Sequence, residues 1–470
     1  MTTEKRISVF LQANMSSGSL PLATYHRAES LGAGTYGSVV TVYNDDGENF
    51  ALKMFDQDGD DQDNVGTSIG ALRELTILRL FRGENAHPNI VEMYDVQTGF
   101  EEEEGAGTGG AMAMAMPIFP RGSLEDSIAS FPNKKAKIAI AYGLLSAVAH
   151  LHENGIIHRD IKSDNILLHD AEDGSLQAVL IDFSLAKLID PKAIITDATG
   201  ESSSQIETEM THTASIGTPT YRAPEVIAEK GYGLPSDLWS VGVCLLELLC
   251  GKCLEADKDK NAIKLIEDGL NTLPDAPFPN LIRRLLQKEP EKRIAAREAL
   301  DAPVFKKFDF EPHERTFVRL NINEAMPLEN DPNAAAAALQ AGSKENRPVE
   351  NKSKGNKKQS KMDPSLAKRF KLIRQICDSM EWKSPMTAQA ALMYSIAMSE
   401  LDDVDDTANS QALLDCIVLA HKFFELELTD LNELSEASKR FESWDIDEYA
   451  DNEGTIFMML DFCLLPRYSL

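Results

Sequence analysis

HRDIKSDN, at residues 158–165, is the most informative motif of this chain, and IDFS follows it at residues 181–184. Transfer of a phosphoryl group needs little covalent chemistry from a protein. It needs a carboxylate that orients the attacking hydroxyl and accepts its proton, and magnesium that neutralises phosphate charge. Asp160 suits the first role, and Asn165 and Asp182 suit the second. The two motifs therefore predict a site for phosphoryl transfer.

A glycine-rich segment lies upstream of these motifs. In LGAGTYGSVV, at residues 31–40, three glycines allow backbone amides to approach phosphate oxygens without a side-chain clash. This pattern alone is equally compatible with an ordinary glycine turn. Lys53 lies on a predicted strand and Glu74 on a predicted helix, placed so that the carboxylate pairs with the lysine and holds it against the α- and β-phosphates. Together they indicate a nucleotide site.

The order and spacing of these residues, followed by Ala-Pro-Glu at 223–225, resemble the protein kinase signature set. Residues 26–308 therefore resemble a complete eukaryotic protein kinase domain. The resemblance implies an α+β bilobal protein kinase fold, in which a small β-rich N-lobe carries one αC helix and a large C-lobe is helical. It also implies ATP and Mg²⁺ as cofactors and protein substrates. Lys162 and Thr218 resemble serine/threonine rather than tyrosine kinases.

The resemblance also implies a role for individual residues. The catalytic residues would be Asp160, Lys162, Lys53 and Glu74, and the metal ligands would be Asn165 and Asp182. The ATP pocket would be formed by Gly32, Ala33, Gly34, Thr35, Gly37, Val39, Ala51, Lys53, Met116 and Phe119. Met116 would be the gatekeeper, and backbone groups near Phe119 would hold adenine at the hinge between the lobes. In the C-lobe, Glu225 and Arg293 would form a buried ion pair, and Asp237 would brace the catalytic loop.

Within the kinases, the N-lobe resembles cyclin-dependent kinases. GTYG contains Thr35 and Tyr36, the pair that this family uses for inhibitory phosphorylation. SIGALRE, at 68–74, resembles the αC signature of the family, with Leu72 at the position that faces the cyclin. These features imply regulation by a cyclin and a function related to the cell cycle.

The same resemblance implies an activating phosphorylation site. Counted back from the Ala-Pro-Glu motif, Thr213 falls at the position of the phosphothreonine, while Thr208 and Thr211 are other hydroxyls in the same loop. Three basic residues would grip the phosphate through charge-assisted hydrogen bonds: Arg73, Arg159 and Lys187.

The chain departs from the family at several positions. Ser184 replaces the glycine that usually follows Asp-Phe, which keeps the metal ligand but removes backbone freedom. The segment from Asp182 to Glu225 is longer than is typical, and Thr220 replaces a common tryptophan, so a preference for proline after the acceptor stays open. The main alternative function is a pseudokinase scaffold whose C-terminal module recruits another kinase.

Residues 363–470 contain five amphipathic stretches, which by periodicity alone predict a small helical bundle. ALLDCIVLAHKFFELEL and TIFMMLDFCLLP resemble the third and fifth helices of a cyclin box. Lys422 and Glu453 occupy the positions with which cyclins grip their kinase, so the resemblance implies an all-α cyclin-like five-helix domain and a cyclin–kinase contact, within the chain or between chains. A docking bundle unrelated to cyclins is the alternative.

Composition sets the remaining boundaries. The 470 residues exceed one ordinary core, residues 1–25 predict a flexible N-terminus, and 309–362 predict a disordered linker because large apolar residues are almost absent. The linker contains Lys-Glu-Asn at 344–346, which matches a short degradation signal of cell-cycle proteins, although a tripeptide also occurs by chance. The net charge of -28 disfavours nucleic acid, and no apolar stretch predicts a signal peptide or membrane span. Scattered cysteines favour an intracellular protein, of the nucleus, the cytoplasm or both.

Overall fold

The fold was obtained as a computed structural model. It describes residues 6–7, 25–34, 37–44, 47–55, 67–82, 85–100, 111–131, 133–171, 176–188, 218–228, 230, 233–256, 259–308, 310, 373, 375, 377, 391, 394 and 410–424. Two lobes of different composition follow one another along the chain, and the predicted catalytic motifs lie at the start of the second.

The first lobe is built on one antiparallel sheet and one helix. Its elements are β1 (Arg6–Ile7), β2 (Tyr25–Gly34), β3 (Gly37–Asn44), β4 (Asn49–Phe55), α1 (Ile69–Leu80), β5 (Asp95–Phe100) and β6 (Ala111–Met116). The strands follow the order β1-β2-β3-β4-β6-β5. The sequence predicts a flexible segment over 1–25, whereas Arg6 and Ile7 pair with His26 and Tyr25 at the edge of the sheet.

Strand β6 divides the N-lobe core because its sequence, AMAMAM, alternates strictly. Side chains on a strand point to opposite faces in turn. Met112, Met114 and Met116 belong to the large core beneath the sheet, which also contains helix α1. Ala113 and Ala115 face a small separate cluster on the other side. The alternation therefore places the three methionines towards the helix that carries Glu74.

Helix α1 begins at a serine cap and is buried along most of its length. The Ser68 hydroxyl accepts a hydrogen bond from the backbone N–H of Ala71, which satisfies one donor of the first turn. Seven of its residues are buried, among them Leu72 and Glu74. A helix that is buried on more than one face has neighbours on more than one side. Here the sheet lies on one side, and the C-terminal helix described below also packs against α1.

The second lobe is mainly helical. Its helices are α2 (Leu124–Ser127), α3 (Lys134–Glu153), α4 (Pro224–Ile227), α5 (Leu234–Cys250), α6 (Asp259–Thr272), α7 (Pro277–Leu285) and α8 (Ala296–Leu300). Two small antiparallel pairs join β7 (Ile156–Ile157) to β10 (Lys187–Leu188), and β8 (Ile166–Asp170) to β9 (Leu176–Leu180). Helix α3 packs on α5 and α8, and the loop between β7 and β8 carries the HRDIKSDN motif. The two lobes form the bilobal protein kinase fold.

The described part of the C-terminal region is one helix and a few isolated helical positions. Helix α9 (Ser410–Phe424) packs against α1, and Ile373, Cys377, Ala391 and Tyr394 are buried in the same core. Five helices over 363–470 stay a prediction, because most of that range lies outside the described residues. The linker also stays a prediction after Phe310, because the residues that follow lie outside the described ranges. The ring of Phe310 stacks on Tyr142 of α3.

Two further predictions concern membrane spans and cysteines. Among the described helices, none combines the length and the apolar character needed to cross a bilayer. Of the cysteines that the structure describes, Cys244, Cys250 and Cys253 are free thiols, and Cys377 and Cys416 are buried.

Candidate active site

Lys53 on β4 makes an ion pair with Glu74 on α1. The Lys53 Nζ atom lies 2.9 Å and 2.7 Å from the two carboxylate oxygens of Glu74. It also lies 3.5 Å from Oδ1 of Asp182. The structure therefore brings together one lysine and two carboxylates that are far apart in the sequence, and the position of helix α1 sets the position of the lysine.

Burial changes the proton affinity of all three groups. Burial alone would lower the pKa of Lys53, but the Glu74 and Asp182 carboxylates outweigh it and raise that pKa above 10.5. Burial raises the pKa of Glu74 to about 7, although Lys53 opposes this rise. Burial also works to raise the pKa of Asp182, but Lys53 and a hydrogen bond from Ser184 lower it below 3.8. Lys53 and Asp182 are therefore charged at neutral pH.

The carboxylate of Asp160 is held from two sides within the catalytic loop. The side-chain nitrogen of Asn165 donates to the backbone oxygen of Asp160 at 2.9 Å and to its Oδ2 at 3.0 Å. The Nζ atom of Lys162 lies 3.5 Å from the same Oδ2. The amide and the ammonium thus fix the orientation of this carboxylate, and the lysine is placed beside the oxygen that would accept a proton.

Asp237 on α5 supports the strained backbone before Asp160. Its two carboxylate oxygens accept hydrogen bonds at 2.9 Å from the backbone N–H groups of His158 and Arg159. Arg159 has φ of +67°, which costs a non-glycine residue about 1–3 kcal/mol. Burial works to raise the pKa of Asp237, but the hydrogen bond from His152 and the nearby His158 lower it below 3.8. The ionised carboxylate therefore holds the loop in place.

His158 connects the catalytic loop to the segment that carries Asp182. Its Nδ1 atom accepts from the backbone N–H of Asp160 at 3.3 Å, so Nε2 carries the proton and donates to the carbonyl of Ile181 at 3.1 Å. The ring of Phe183, which is fully buried, packs edge-on against the imidazole at 4.8 Å. These contacts fix the distance between the two motifs that the sequence singled out.

The residues predicted to bind the nucleotide line up across the sheet. Gly32, Ala33 and Gly34 on β2 pair with Val39, Ser38 and Gly37 on β3, which makes a hairpin. Val39 lies opposite Lys53, and Ala51 lies opposite Met116 at the end of β6. Phe119, half-buried, follows directly and packs edge-on against His169. Thr35 lies outside the described residues.

The predicted metal ligands offer oxygen atoms, which suit Mg²⁺. Asn165 uses its amide nitrogen on Asp160, so its Oδ1 remains an acceptor on the opposite side of the amide. The side chain of Asp182 is 16% exposed, and its carboxylate is therefore accessible from the cleft. Within the described ranges, no group of three or more His, Cys, Asp or Glu side chains would hold a metal alone. This donor set fits an ion whose remaining ligands are supplied by phosphate oxygens.

A buried ion pair stabilises the C-lobe behind the site. Arg293 donates through Nη1 to Oε1 of Glu225 at 2.7 Å and through Nη2 to Oε2 at 3.0 Å, in a bidentate pair. It also donates to the backbone oxygen of Gln287 at 3.1 Å and 3.0 Å. The guanidinium lies 5.4 Å from the ring centre of Trp239. One arginine thus joins the end of the activation segment, which is the segment from Asp182 to Glu225, to α5 and to the chain after α7.

Glu247 on α5 is a site residue that the sequence analysis did not single out. Its carboxylate accepts hydrogen bonds from the Ser163 hydroxyl, from the backbone N–H of Leu254 at 2.7 Å, and from the Tyr221 hydroxyl at 3.0 Å. Burial raises the pKa of Glu247, and these donors partly oppose the rise. The catalytic loop and the end of the activation segment therefore share one buried acceptor. The sequence did contain a signal for Glu247: it is a glutamate within an otherwise apolar helix, and such a residue is buried only when it has partners.

The three basic residues predicted to grip a phosphate on Thr213 are Arg73, Arg159 and Lys187, and Arg159 belongs to the catalytic loop. Burial and the nearby charge of Arg159 lower the pKa of Arg73 to about 10, which places the two guanidinium groups in each other's field. Arg159 donates to the carbonyl of Leu185 at 2.6 Å, and Lys187 on β10 pairs with Ile157 on β7. The predicted phosphorylation sites Thr213, Thr35 and Tyr36 lie outside the described residues.

A second contact of helix α1 involves the C-terminal helix. The Nζ atom of Lys422 donates to the backbone oxygen of Thr67 at 3.0 Å, immediately before the cap of α1. Lys422 is 3% exposed, and Leu72 is fully buried. The structure therefore brings Lys422 to the helix that carries Leu72 and Glu74. Glu453 lies outside the described residues.

Comparison with known proteins agrees with this geometry. The family model for the protein kinase domain matches residues 25–305. Serine/threonine-protein kinase DCLK3 of Mus musculus is 32% identical over 270 residues, which cover 54% of this chain and 29% of that protein. CBL-interacting protein kinase 20 of Oryza sativa subsp. japonica is 29% identical over 335 residues, which cover 69% of this chain and 66% of that protein.

These matches define the class. The chain belongs to the protein kinase domain family, and its relatives identify it more narrowly as a protein serine/threonine kinase, so that prediction is confirmed. The chain spans less than a third of the length of the mouse relative and about two thirds of the rice relative.

Proposed function

We propose that the whole protein is an active kinase that transfers the γ-phosphate of ATP to serine or threonine hydroxyls of protein substrates. One observation carries this proposal: Lys53 pairs with Glu74 while it also lies 3.5 Å from Asp182. A kinase needs this lysine–glutamate pair and its metal-binding aspartate in place at the same time. A scaffold that does no chemistry has no need of that combination.

Each residue then has a defined task. Asp160 accepts a hydrogen bond from the substrate hydroxyl and takes its proton, and Asn165 and Lys162 hold the carboxylate in that orientation. Lys53 neutralises the α- and β-phosphates, which keeps the nucleotide in one position. Met116 and Ala51, which face one another across two strands, border the adenine pocket next to Phe119.

The cofactors in this proposal are ATP and Mg²⁺, held by Asn165 and Asp182. Bound Mg²⁺ would neutralise the charge that develops on the phosphate oxygens. The chain contributes the lowered pKa of Asp182, which keeps this carboxylate ionised and ready for a cation at neutral pH.

The test of activity is phosphate transfer from ATP to a panel of serine, threonine and tyrosine peptides by the full chain. We expect transfer to serine and threonine, and loss of at least about a thousandfold in Asp160→Asn, which keeps the shape of the side chain but removes the base. A full chain that binds ATP but has the same turnover as Asp160→Asn would instead support the pseudokinase scaffold. Peptides with and without proline after the acceptor would decide proline direction.

We further propose that the C-terminal module is cyclin-like and activates the kinase within the same chain, in a function related to the cell cycle. The contact between Lys422 and Thr67 supports this proposal, because it joins the module to the N-terminus of α1. Helix α1 carries Glu74, and a helix of this kind has an inward and an outward position. A module that binds only the inward position shifts the population towards the Lys53–Glu74 pair.

Burial around α1 supports the same proposal. Leu72, predicted to face a cyclin, is completely buried, and so are Ile417 and Val418 of helix α9. The charged Nζ atom of Lys422 lies in this contact, where it donates to the backbone oxygen of Thr67 at 3.0 Å. Because its charged group is buried, the hydrogen bond to Thr67 requires one defined orientation of the two helices.

Phosphorylation of Thr213 is the second regulatory step that we propose. Arg73 and Arg159 lie close enough for the charge of one to lower the pKa of the other. A doubly charged phosphate between them would remove that repulsion and order the activation segment. Replacement of Thr213 with alanine, compared with Thr208→Ala and Thr211→Ala, would identify the residue through loss of both activity and phosphopeptide signal.

A further inference from the structure

Ser184 donates two hydrogen bonds to the side chain of Asp182. Its hydroxyl lies 2.6 Å from Oδ1, and its backbone N–H lies 3.3 Å from the same atom. Lys53 also approaches Oδ1, at 3.5 Å. Three donors therefore converge on one carboxylate oxygen, which fixes the rotation of the carboxylate and leaves Oδ2 as the oxygen that is available to a ligand in the cleft.

The backbone at this position makes such support necessary. Asp182 has φ of +61°, in the left-handed region that only glycine adopts freely. A conformation of this kind persists where surrounding contacts determine it. Ser184 supplies two of these contacts from only two residues further along the chain.

Ser184 also touches helix α1 at its single glycine. Ser184 is 2% exposed. A Cβ atom built on Gly70 would lie 3.3 Å from Cβ of Ser184, closer than an ordinary van der Waals contact, and 3.8 Å from its backbone oxygen. A side chain at position 70 would therefore require its neighbour to shift by a few tenths of an ångström. Ser184 thus lies against Gly70 of α1, and the absence of a side chain on Gly70 leaves room for the serine.

We propose that Ser184 is a positioning residue, which aims the Asp182 carboxylate and couples that aim to the position of helix α1 through its contact with Gly70. When α1 moves, the surface that confines Ser184 moves with it, and the hydroxyl loses its fixed orientation. The role rests on the proposed kinase function, since it concerns the aspartate that would bind the metal. It gives the chain a second connection between α1 and the site, besides Glu74.

The test uses four variants of the full chain: Ser184→Ala, Ser184→Gly, Gly70→Ala and the double variant Gly70→Ala/Ser184→Gly. The probe is Mn²⁺ in the presence of an ATP analogue with a nitrogen bridge between the β- and γ-phosphates, and equilibrium affinity is measured by the paramagnetic signal of free Mn²⁺. Thermal unfolding of each variant shows whether the fold is retained. Phosphate transfer by the wild-type chain is measured separately.

We expect Ser184→Ala to weaken Mn²⁺ binding about five- to tenfold while the unfolding temperature changes little, because one hydrogen bond to a charged group is lost. Gly70→Ala should weaken Mn²⁺ binding to a similar degree in the wild-type chain. It should have no further effect in Ser184→Gly, where the atom that it would crowd is absent.

Two results would overturn the proposal: unchanged Mn²⁺ affinity in Ser184→Ala, or an equal effect of Gly70→Ala in both backgrounds. A wild-type chain that binds Mn²⁺ with the expected differences between variants but transfers no phosphate would overturn the proposed activity alone. The positioning role would then stand, because the Mn²⁺ affinity is an equilibrium property of Asp182 and its neighbours.

Discussion

Lys422 donates a hydrogen bond to the backbone oxygen of Thr67 at 3.0 Å, across a sequence separation of 355 residues. Thr67 precedes Ser68, the N-terminal cap of α1. The lysine therefore holds the backbone at the N-terminus of that helix. Helix α1 carries Glu74, which in turn positions Lys53. Two contacts, joined by helix α1, thus connect the C-terminal helix to Lys53.

The first prediction concerns this contact. Lys422→Ala in the full chain removes a hydrogen bond from a charged donor, which is worth about 1.5–3 kcal/mol. We expect turnover with a peptide substrate to fall about fivefold or more, because fewer molecules hold α1 in the position that pairs Glu74 with Lys53. Steady-state phosphate transfer is the measurement.

Lys264→Ala is the matched control, because Lys264 is an exposed lysine on helix α6, away from α1. We expect its turnover to equal that of the wild-type chain. Equal turnover in Lys422→Ala and Lys264→Ala would contradict activation by the C-terminal module and would favour a docking bundle unrelated to cyclins.

The second prediction concerns pH and Glu74, whose pKa burial raises to about 7. Activity needs the ionised carboxylate, so turnover should fall as pH decreases below about 7. Stability should change in the opposite sense. A folded-state pKa above the unfolded value of 4.5 means that the folded chain binds the proton more tightly, so this contribution is full below 4.5 and is lost as pH rises through about 7.

The pH dependence is measured as turnover and as unfolding temperature between pH 5.5 and 8.5, in the wild-type chain and in Glu74→Gln. The glutamine variant should have low turnover at every pH and should lack the part of the stability change that Glu74 causes. Identical stability profiles for the two proteins would show that Glu74 does not titrate in this range.

The third prediction concerns the buried ion pair between Arg293 and Glu225. The arginine side chain is fully buried, so Arg293→Ala leaves a buried carboxylate and several carbonyl oxygens without their donor. We expect a loss of about 3–5 kcal/mol in the free energy of unfolding, measured with urea and followed by far-ultraviolet circular dichroism. Arg293→Lys should recover little, because an ammonium cannot bind bidentately.

Arg284 provides the comparison, since its ion pair with Glu298 lies at the surface, with 50% and 59% of the two side chains exposed. Arg284→Ala should cost less than about 1 kcal/mol. Equal losses in the two alanine variants would mean that burial does not determine the strength of the Arg293 pair.

The fourth prediction concerns Glu247, which accepts hydrogen bonds from Ser163, Tyr221 and Leu254. Glu247→Ala leaves three buried donors unsatisfied, and we expect a loss of about 3 kcal/mol in stability. Ser163→Ala removes one of these bonds and should cost about 1 kcal/mol. Thermal unfolding would measure both, and Glu291→Ala at an exposed position should change stability by less than about 0.5 kcal/mol. A loss in Ser163→Ala as large as that in Glu247→Ala would contradict the shared-acceptor role.

The sequence sufficed for the kinase lobes because each catalytic residue lies in a short motif with a fixed order. The roles of Asp160, Asn165 and Asp182 were predicted from their motifs, because the chemistry of phosphoryl transfer limits which side chains serve, and these roles stay predictions. AMAMAM alternates with the two-residue period of a strand, and the structure forms β6 there. Local pattern and required chemistry agreed at these positions.

The contacts between distant segments were beyond a single sequence. The fit of Ser184 against Gly70 depends on how closely α1 approaches the segment after Asp182, and neither residue reveals this by its neighbours in the chain. The three donors to Glu247 come from separate loops. The strand at Arg6–Ile7 was missed because two residues are too few for a period to be recognised.

The hydrogen bond from Lys422 to Thr67 joins two parts of one molecule, and this has a consequence for supply. An activator on a separate chain is lost on dilution below its dissociation constant, whereas a tethered activator keeps a constant local concentration. Specific activity would therefore be the same in a nanomolar and a micromolar preparation. A cell could not raise or lower it by making more or less of a second component, so the amount of active enzyme would follow the amount of this one polypeptide.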